Sequence, residues 1–320
     1  DTDNAVITWV TSDNTFAAEA NLTFDGSTLS VTGDFKATGV SFSNNDSGTS
    51  NTVLGKNAGA NIASGGNYNL LVGENAGNDL TTGDDNVIIG YNTAVVATTM
   101  SDLVVIGSGA GVALAAGSTD ANGTVAIGYN AGASLTEGQF NVAIGHGALD
   151  AENLGNASTA IGYNALTSQV SNQGGGDFGD ANHNMNTAIG AKAAEAVTTG
   201  LWNTAVGSHA LNAEVDGDGS TAIGTFALYA QTGTDGEAGN TALGYFAGRS
   251  LTTGKKNVFI GKNCADNTTD VDQTVIIGYG AGGANMTSAA DSTVAIGYDA
   301  LASNTTGNGN VAIGYQALTT

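Results

Sequence analysis

The sequence predicts an all-β protein whose main body is a parallel β-solenoid or β-roll of fifteen repeats, each about 17 residues long. The first observation is a nine-residue phrase that recurs along the chain, as NVAIGYQAL at Asn310–Leu318 and NVAIGHGAL at Asn141–Leu149. The second is the spacing of its central glycine, which returns most often after 17 residues. The third is the composition, with 49 glycines, no proline, and Thr, Val or Ile at the apolar positions of the phrase. This composition disfavours helices and favours strands.

The central glycines align fifteen copies of the phrase and set the register of the repeats. They are Gly55, Gly73, Gly90, Gly107, Gly128, Gly145, Gly162, Gly190, Gly207, Gly224, Gly244, Gly261, Gly278, Gly297 and Gly314. Every third step between them is longer than 17 residues, and the longest step contains the insertion Thr167–Asn186. Two interpretations remain open. In the first, an inserted loop is thicker than one coil, so that insertions fit on every third coil but not on every coil. In the second, three repeats make one full turn around a triangular section, so that repeats of like kind stack.

The phrase also predicts how a coil is built. In T-A-I-G-Y, the Thr and Ile side chains point to one face and Ala and Gly to the other. A period of 17 suits a coil of two short strands and two turns, and fifteen coils stacked ~4.8 Å apart give a body ~70 Å long. We expect the asparagine at the end of each turn to stack into a ladder along the axis. These asparagines are Asn86, Asn141, Asn186, Asn203, Asn240, Asn257 and Asn310.

Residues 1–50 lack the repeat and form a separate β-rich shaft or connector segment, so the repeat domain covers residues 51–320. Within this segment, Leu22–Phe35 alternates apolar and polar residues around Asp25-Gly26. This pattern predicts a β-hairpin or a pair of short shaft strands. Because the chain starts at Asp1 without Met, we expect it to be a fragment or a processed product.

The charge and the apolar runs argue against two classes of partner. Seven basic and 29 acidic residues give a formal charge of −22, which disfavours nucleic-acid binding and favours a solvated acidic surface. The longest apolar-rich run, Val104–Gly117, is too short and too broken by glycine to span a membrane. The single cysteine, Cys264, cannot form an intrachain disulfide, and it replaces an alanine of the phrase as a small apolar filler.

The phrase N-(T/V)-A-I-G-Y-x-A-(L/G) resembles the head repeat of trimeric autotransporter adhesins. That head is a left-handed parallel β-roll in which three chains pack side by side, although its coil is usually shorter. The form GYDALASNTTGNGNVAIGYQAL at Gly297–Leu318 is similar to the repeats of bacteriophage tail fibres matured by a C-terminal intramolecular chaperone. No chaperone domain is present in this sequence, and the chain stops at Thr320, directly after a repeat, as expected for a cleaved or truncated fibre.

The resemblance covers about residues 51–320. It implies a homotrimeric structural and adhesive fibre, located on a virion or an extracellular surface, that presents loops to a host cell-surface receptor or glycan. It implies no enzyme activity and no cofactor. Alternatives are a bacterial surface adhesin or extracellular filament subunit, and an ice-binding β-solenoid, which requires regular outward T-x-T rows. An enzyme of the polysaccharide-degrading kind ranks last, since His146, His183 and His209 lie in different repeats without catalytic spacing.

Two sets of residues are candidates for binding. Aromatic side chains in turns and insertions suit stacking on sugar rings or anchoring a protein contact, or else pack a loop onto the shaft. They are Phe140, Phe178, Trp202, Phe226, Tyr229 and Phe246. Clustered carboxylates in turns are candidate calcium ligands, with ordinary solvated turns as the alternative. They are Asp84, Asp85, Asp177, Asp180, Asp216, Asp218, Asp270 and Asp272.

Overall fold

The computed structural model describes residues 5–10, 15–24, 29–31, 48–114, 121–171, 183–232 and 236–319. The chain forms two units, residues 1–41 and residues 42–320. In the first unit, β1 (Ala5–Val10), β2 (Thr15–Phe24) and β3 (Leu29–Val31) make an antiparallel sheet in that order. The pairing of β2 with β3 confirms the two predicted strands, whereas their Asp25-Gly26 turn lies outside the described residues. Sequence reasoning did not predict β1.

The second unit contains one parallel sheet of 15 strands, with one three-residue strand from each repeat. The predicted all-β solenoid is therefore confirmed. Its strands are β4 (Thr52–Leu54), β5 (Leu70–Val72), β6 (Val87–Ile89), β7 (Val104–Ile106), β8 (Val125–Ile127), β9 (Val142–Ile144), β10 (Thr159–Ile161), β11 (Thr187–Ile189), β12 (Thr204–Val206), β14 (Thr221–Ile223), β16 (Thr241–Leu243), β17 (Val258–Ile260), β18 (Val275–Ile277), β19 (Val294–Ile296) and β20 (Val311–Ile313). The two-residue strands β13 (Gly217–Asp218) and β15 (Gly236–Glu237) pair with each other, and Ser288–Ala290 forms a 3₁₀ helix.

Each repeat is one coil, so the interpretation with three repeats per turn is wrong. Consecutive repeats pair strand to strand in one register, for example Thr159 with Val142 and Ile161 with Ile144. A strand of one repeat therefore lies directly beside the strand of the next, and the longer third steps are insertions between stacked coils. Fifteen strands at ~4.8 Å spacing make a stack ~67 Å long.

The prediction of two strands per coil is also wrong, since each described repeat contributes a single strand to the long sheet. After each repeat glycine the chain turns through residues in the left-handed conformation, such as Asn164 (φ 52°) and Leu166 (φ 50°). An extended strand cannot contain such residues. The second half of each repeat is consequently a series of turns, whose backbone groups bond mainly to the neighbouring coils.

The side chains of each strand alternate between the core and the surface. In β9, Ala143 is fully buried, whereas Val142 and Ile144 point outward and are half-buried. The same pattern recurs in the other strands of the long sheet. The small-residue face of the phrase thus lines the interior, and the branched apolar face lies on the surface. The core is narrow because alanine supplies most of its strand positions.

Two kinds of coil fill this narrow core. In the leucine-type coils, a buried leucine follows the repeat glycine by four residues and a polar residue follows by seven, as in Leu149 and Glu152. In the glycine-type coils, the fourth residue is Gly or Ala and the seventh is usually apolar, as in Gly132 and Leu135. The two positions share one space, since a Cβ on Gly132 would lie 2.7 Å from Leu135 Cδ1. A large side chain at one position therefore requires a small or polar partner at the other.

The predicted asparagine ladder is present where asparagines occupy successive coils. Asn86 donates a hydrogen bond to Asn69 Oδ1 at 2.9 Å and a second to the Met100 carbonyl at 2.8 Å. Asn257 repeats this arrangement with Asn240 Oδ1 at 3.0 Å and the Val271 carbonyl at 2.7 Å. The ladder is interrupted where other residues, such as Ser158, take the position. These bonds satisfy buried polar groups along the stack.

Buried glutamates are a feature that sequence reasoning did not predict. Glu152 is fully buried, and its Oε1 accepts hydrogen bonds from the backbone N–H of Asn153, Leu154, Gly155 and Ser171. Its Oε2 accepts from Gln169 at 2.8 Å and from Asn184 at 2.9 Å. Six donors compensate the desolvation of this carboxylate. Glu214 and Gln231 form a second pair of the same kind.

Cys264 occupies the buried alanine position of its coil, as predicted. Its Sγ donates a hydrogen bond to the Ile276 carbonyl at 3.0 Å, and burial raises the pKa of the thiol to about 12. Since the thiolate is the reactive form, we expect no reaction of the folded protein with a disulfide reagent at pH 8 and one thiol per chain after unfolding in guanidinium. Absorbance of the released chromophore measures both, and stoichiometric labelling of the folded chain would contradict the burial.

Candidate aromatic ligand site

The second residue after each repeat glycine has a left-handed backbone, with φ between 49° and 69°. Asn, Gly or Asp occupies this position in ten of the fifteen described repeats, because these residues tolerate the conformation best. Three successive coils instead carry aromatic rings there, namely His209, Phe226 and Phe246. Core leucines such as Leu149 (φ 53°) and Leu166 (φ 50°) adopt the same conformation, so the backbone by itself does not mark a site. The column of three rings on successive coils makes this position a candidate site.

The rings of these coils form one contiguous surface. His209 stacks on Phe226 with ring centroids 5.0 Å apart, and Phe226 lies 5.4 Å from Phe246. Tyr229 packs edge-on against Phe226 at 5.3 Å with an interplanar angle of 72°. Tyr245 adds a further ring 3.9 Å from Phe246. Such offset and edge-to-face geometries are favourable for aromatic pairs, so the rings hold each other in place.

Arg249, the single arginine of the chain, lies beside this surface. Its guanidinium sits 4.7 Å from the centroid of the Phe246 ring. The positive charge of Arg249 opposes the rise in the pKa of Asp266, in the next coil, that burial causes. Within the described parts of the chain, no carboxylate lies within 4.0 Å of the guanidinium. Within the described residues, the charge of Arg249 is therefore not neutralised by a direct ion pair.

A groove of about 490 Å³ runs between these side chains, which is in the range of small-molecule sites. It is lined by Phe226, Tyr229, Ala230, Phe246, Arg249 and Ser250. We call His209, Phe226, Tyr229, Phe246 and Arg249 the aromatic patch. All its members come from the turns of three successive coils, so the stacking of the solenoid holds it rigidly.

The structure divides the predicted aromatic set. It brings Phe226, Tyr229 and Phe246 together, but it places Phe140 and Trp202 on a different turn, before the strand, about half exposed at 48% and 50%. These two rings also lie in coils that are three repeats apart. Phe178 lies outside the described residues. The aromatic candidates therefore do not form one surface: Phe226, Tyr229 and Phe246 lie together, whereas Phe140 and Trp202 lie apart from them and from each other.

Sequence reasoning missed His209 and Arg249 as members of the site. His209 looked like a surface variant of a tolerant position, and Arg249 was not singled out. The signal for His209 was present, because aligning the repeats places aromatic residues at the same position in three successive copies. The contact of Arg249 with Phe246 depends on the fold of the turn, which the sequence alone does not show.

Three of the acidic candidates, Asp84, Asp218 and Asp272, serve the stacking of coils. Asp84 Oδ1 accepts a hydrogen bond from the Asn67 N–H in the preceding coil at 2.7 Å. Asp218 and Asp272 accept equivalent bonds, also of 2.7 Å, from the preceding coils. The described residues contain no group of three or more His, Cys, Asp or Glu side chains placed to hold a metal ion. Asp177 and Asp180 lie outside them, and calcium binding stays a prediction.

The three histidines lie in separate surroundings. His146 is flanked by Tyr129 and Tyr163, with ring centroids 5.0 and 5.5 Å away. His183 is buried, and its Nδ1 lies 3.1 Å from Asn156 Nδ2. His209 Nδ1 lies 2.9 Å from the Ser208 hydroxyl, within the aromatic patch. The fold does not bring the three imidazoles together.

The fold defines the class of this chain, which is a β-solenoid repeat protein. Comparison with protein-family models, curated proteins and solved structures found no match. Within the described ranges, no helix has the length and apolar character that crossing a membrane requires.

Proposed function

We propose that this β-solenoid is the rigid section of an adhesive fibre. Three copies pack side by side, and the aromatic patch contacts a receptor or glycan on a host-cell surface. The function is structural and adhesive, and no reaction is assigned to it. A bacteriophage tail fibre on a virion is the setting favoured by the sequence resemblance. A bacterial surface adhesin would use the same trimer and the same patch on another extracellular surface.

The observation that carries the proposal is the outward face of the long sheet. The third residue of every strand is Ile, Val or Leu and points away from the core, and some are well exposed, such as Leu243 at 47%. Together they form an apolar stripe that runs the ~67 Å length of the stack. Extended apolar patches are rare on the surface of monomeric soluble proteins and mark interaction sites. The stripe supports burial against further copies of the chain, and the sequence resemblance supports three copies.

The same face argues against the ice-binding alternative. That function requires threonine at both outward positions of each strand. In the described strands, threonine at the first position is followed by Ile, Val or Leu at the third, as in Thr159 and Ile161. The face is thus better suited to an apolar protein contact than to a regular array of hydroxyl groups.

The native mass tests the trimer. We expect about three times 31.5 kDa by light scattering. The double variant Ile144→Lys/Ile161→Lys places two charges in the apolar stripe and should yield the monomer mass, because desolvating unpaired lysines opposes association. Ser134→Lys/Asn267→Lys, which adds the same charge at exposed turn positions, is the control and should remain trimeric. A monomeric parent protein would overturn the trimer.

A further inference from the structure

We propose that the aromatic patch binds a carbohydrate that carries a carboxylate group. The sugar ring packs against Phe226 and Tyr229, beside Phe246, and its carboxylate pairs with Arg249. This inference rests on the proposed adhesive function and names the class of ligand that the fibre recognises.

The arrangement of the rings suits a sugar. Phe226 and Phe246 come from adjacent coils and are 5.4 Å apart, and Tyr229 stands nearly perpendicular to Phe226. The groove is thus lined by aromatic rings in different orientations. The face of an aromatic ring is electron-rich, and the C–H groups on one face of a pyranose carry partial positive charge. The Tyr229 and Ser250 hydroxyls at the same groove can bond to the sugar hydroxyls.

The charge of the patch suits a carboxylate. The chain has a formal charge of −22, so most of its surface repels an anion, and its one arginine lies in this groove. The guanidinium carbon of Arg249 lies over the Phe246 ring, 4.7 Å from its centroid, which places the positive charge at the groove. A carboxylate accepts two parallel hydrogen bonds from the N–H edge of a guanidinium, an arrangement that lysine cannot reproduce.

The backbone conformation of the patch allows a variant that distinguishes a ligand-binding role of the rings from a structural role. Most coils place Asn, Gly or Asp at the left-handed position, whereas Phe226 (φ 58°) and Phe246 (φ 60°) hold it with bulky rings. Replacing these rings with asparagine restores the residue that the turn prefers. The double variant Phe226→Asn/Phe246→Asn should therefore keep the thermal midpoint of the parent protein or raise it, while it removes the stacking surface.

The test is calorimetric titration of the full chain with two matched pairs of probes. These are trigalacturonate against neutral galactotriose, and 3′-sialyllactose against lactose. We expect at least one acidic probe to bind about tenfold more tightly than its neutral partner, which corresponds to 1.4 kcal/mol. Arg249→Gln should abolish that preference, and Arg249→Lys should retain only part of it. Phe226→Asn/Phe246→Asn should abolish binding of both probes, whereas Phe140→Asn, at an exposed ring outside the patch, should change nothing.

Three results would overturn the inference. Equal affinity for acidic and neutral probes, or a preference that survives Arg249→Gln, shows that the carboxylate is not recognised, although the patch remains a contact surface. Binding that survives Phe226→Asn/Phe246→Asn places the sugar elsewhere. Failure of every probe to bind removes the carbohydrate class. The trimer itself is decided by the native mass, so the failure of this inference and the failure of the fibre proposal are distinguishable.

Discussion

Replacing Gly145 by alanine is expected to destabilise the solenoid by about 2–6 kcal/mol. Gly145 has φ 134°, a conformation that L residues rarely adopt. Its Cβ would also lie 2.4 Å from the carbonyl oxygen of Gly162 in the next coil. The two coils would have to separate, because the contact is with backbone rather than with a flexible side chain. Guanidinium unfolding followed by far-ultraviolet circular dichroism measures the loss.

Gly314 provides a matched control for this prediction. It has nearly the same φ, 132°, but it belongs to the last repeat, and a Cβ there meets only Ala317 Cβ at 4.0 Å. Gly314→Ala should therefore cost only the backbone strain, about 1–3 kcal/mol, in a terminal coil. If both variants lose the same stability, the close approach of coils contributes nothing and the explanation of the glycine column is wrong.

Replacing Glu152 by leucine is expected to cost roughly 3–5 kcal/mol, although leucine is the residue that several other coils carry at this position. The substitution removes the acceptor of six hydrogen bonds, and the donors that lose it include the buried Gly155 N–H and the buried Asn184 amide. It also crowds the core, since Leu149 already fills the space that the new leucine needs. Chemical unfolding of the variant tests this, and an unchanged midpoint would contradict it.

The difference between leucine-type and glycine-type coils predicts which further substitutions restore the stability lost in Glu152→Leu. The variant Leu149→Gly/Glu152→Leu/Leu166→Gly/Gln169→Leu converts two neighbouring leucine-type coils to the glycine type. It replaces the Glu152–Gln169 pair with apolar packing and removes two leucines from left-handed positions (φ 53° and 50°). We expect it to be more stable than Glu152→Leu alone, because neighbouring substitutions that share a space are not additive. A further loss would show that the two coil types are not interchangeable.

The same backbone rule connects the stability of the solenoid with its proposed recognition. The second residue after the repeat glycine is Asn, Gly or Asp in ten coils, and a ring at His209, Phe226 and Phe246. Ring substitution is tolerated because neighbouring coils hold the turn on both sides through backbone hydrogen bonds, such as Phe226 N–H to the Ser208 carbonyl at 3.0 Å. A stack of coils can therefore vary its surface rings without losing its core.

The sequence alone determined the fold class, the number of repeats and the position of the repeat glycine in each coil. These features are local, since each glycine backbone conformation and each T-A-I alternation is set within a few residues and repeated. The asparagine ladder was predictable for the same reason, because one position recurring every coil must stack once the coils stack. Even the aromatic column at His209, Phe226 and Phe246 was readable from aligned copies.

Only the tertiary structure decided how many repeats make one coil and which side chains contact each other. Whether three repeats make one turn or one repeat makes one coil depends on the pairing of Thr159 with Val142, a contact between residues 17 apart that the period permits but does not require. Glu152 resembles a surface turn residue, and it is buried because Gln169 in the next coil covers it. Arg249 reaches the patch only because its turn folds back over Phe246. In each case the deciding contact forms when the chain folds back on itself, beyond the range of local preference.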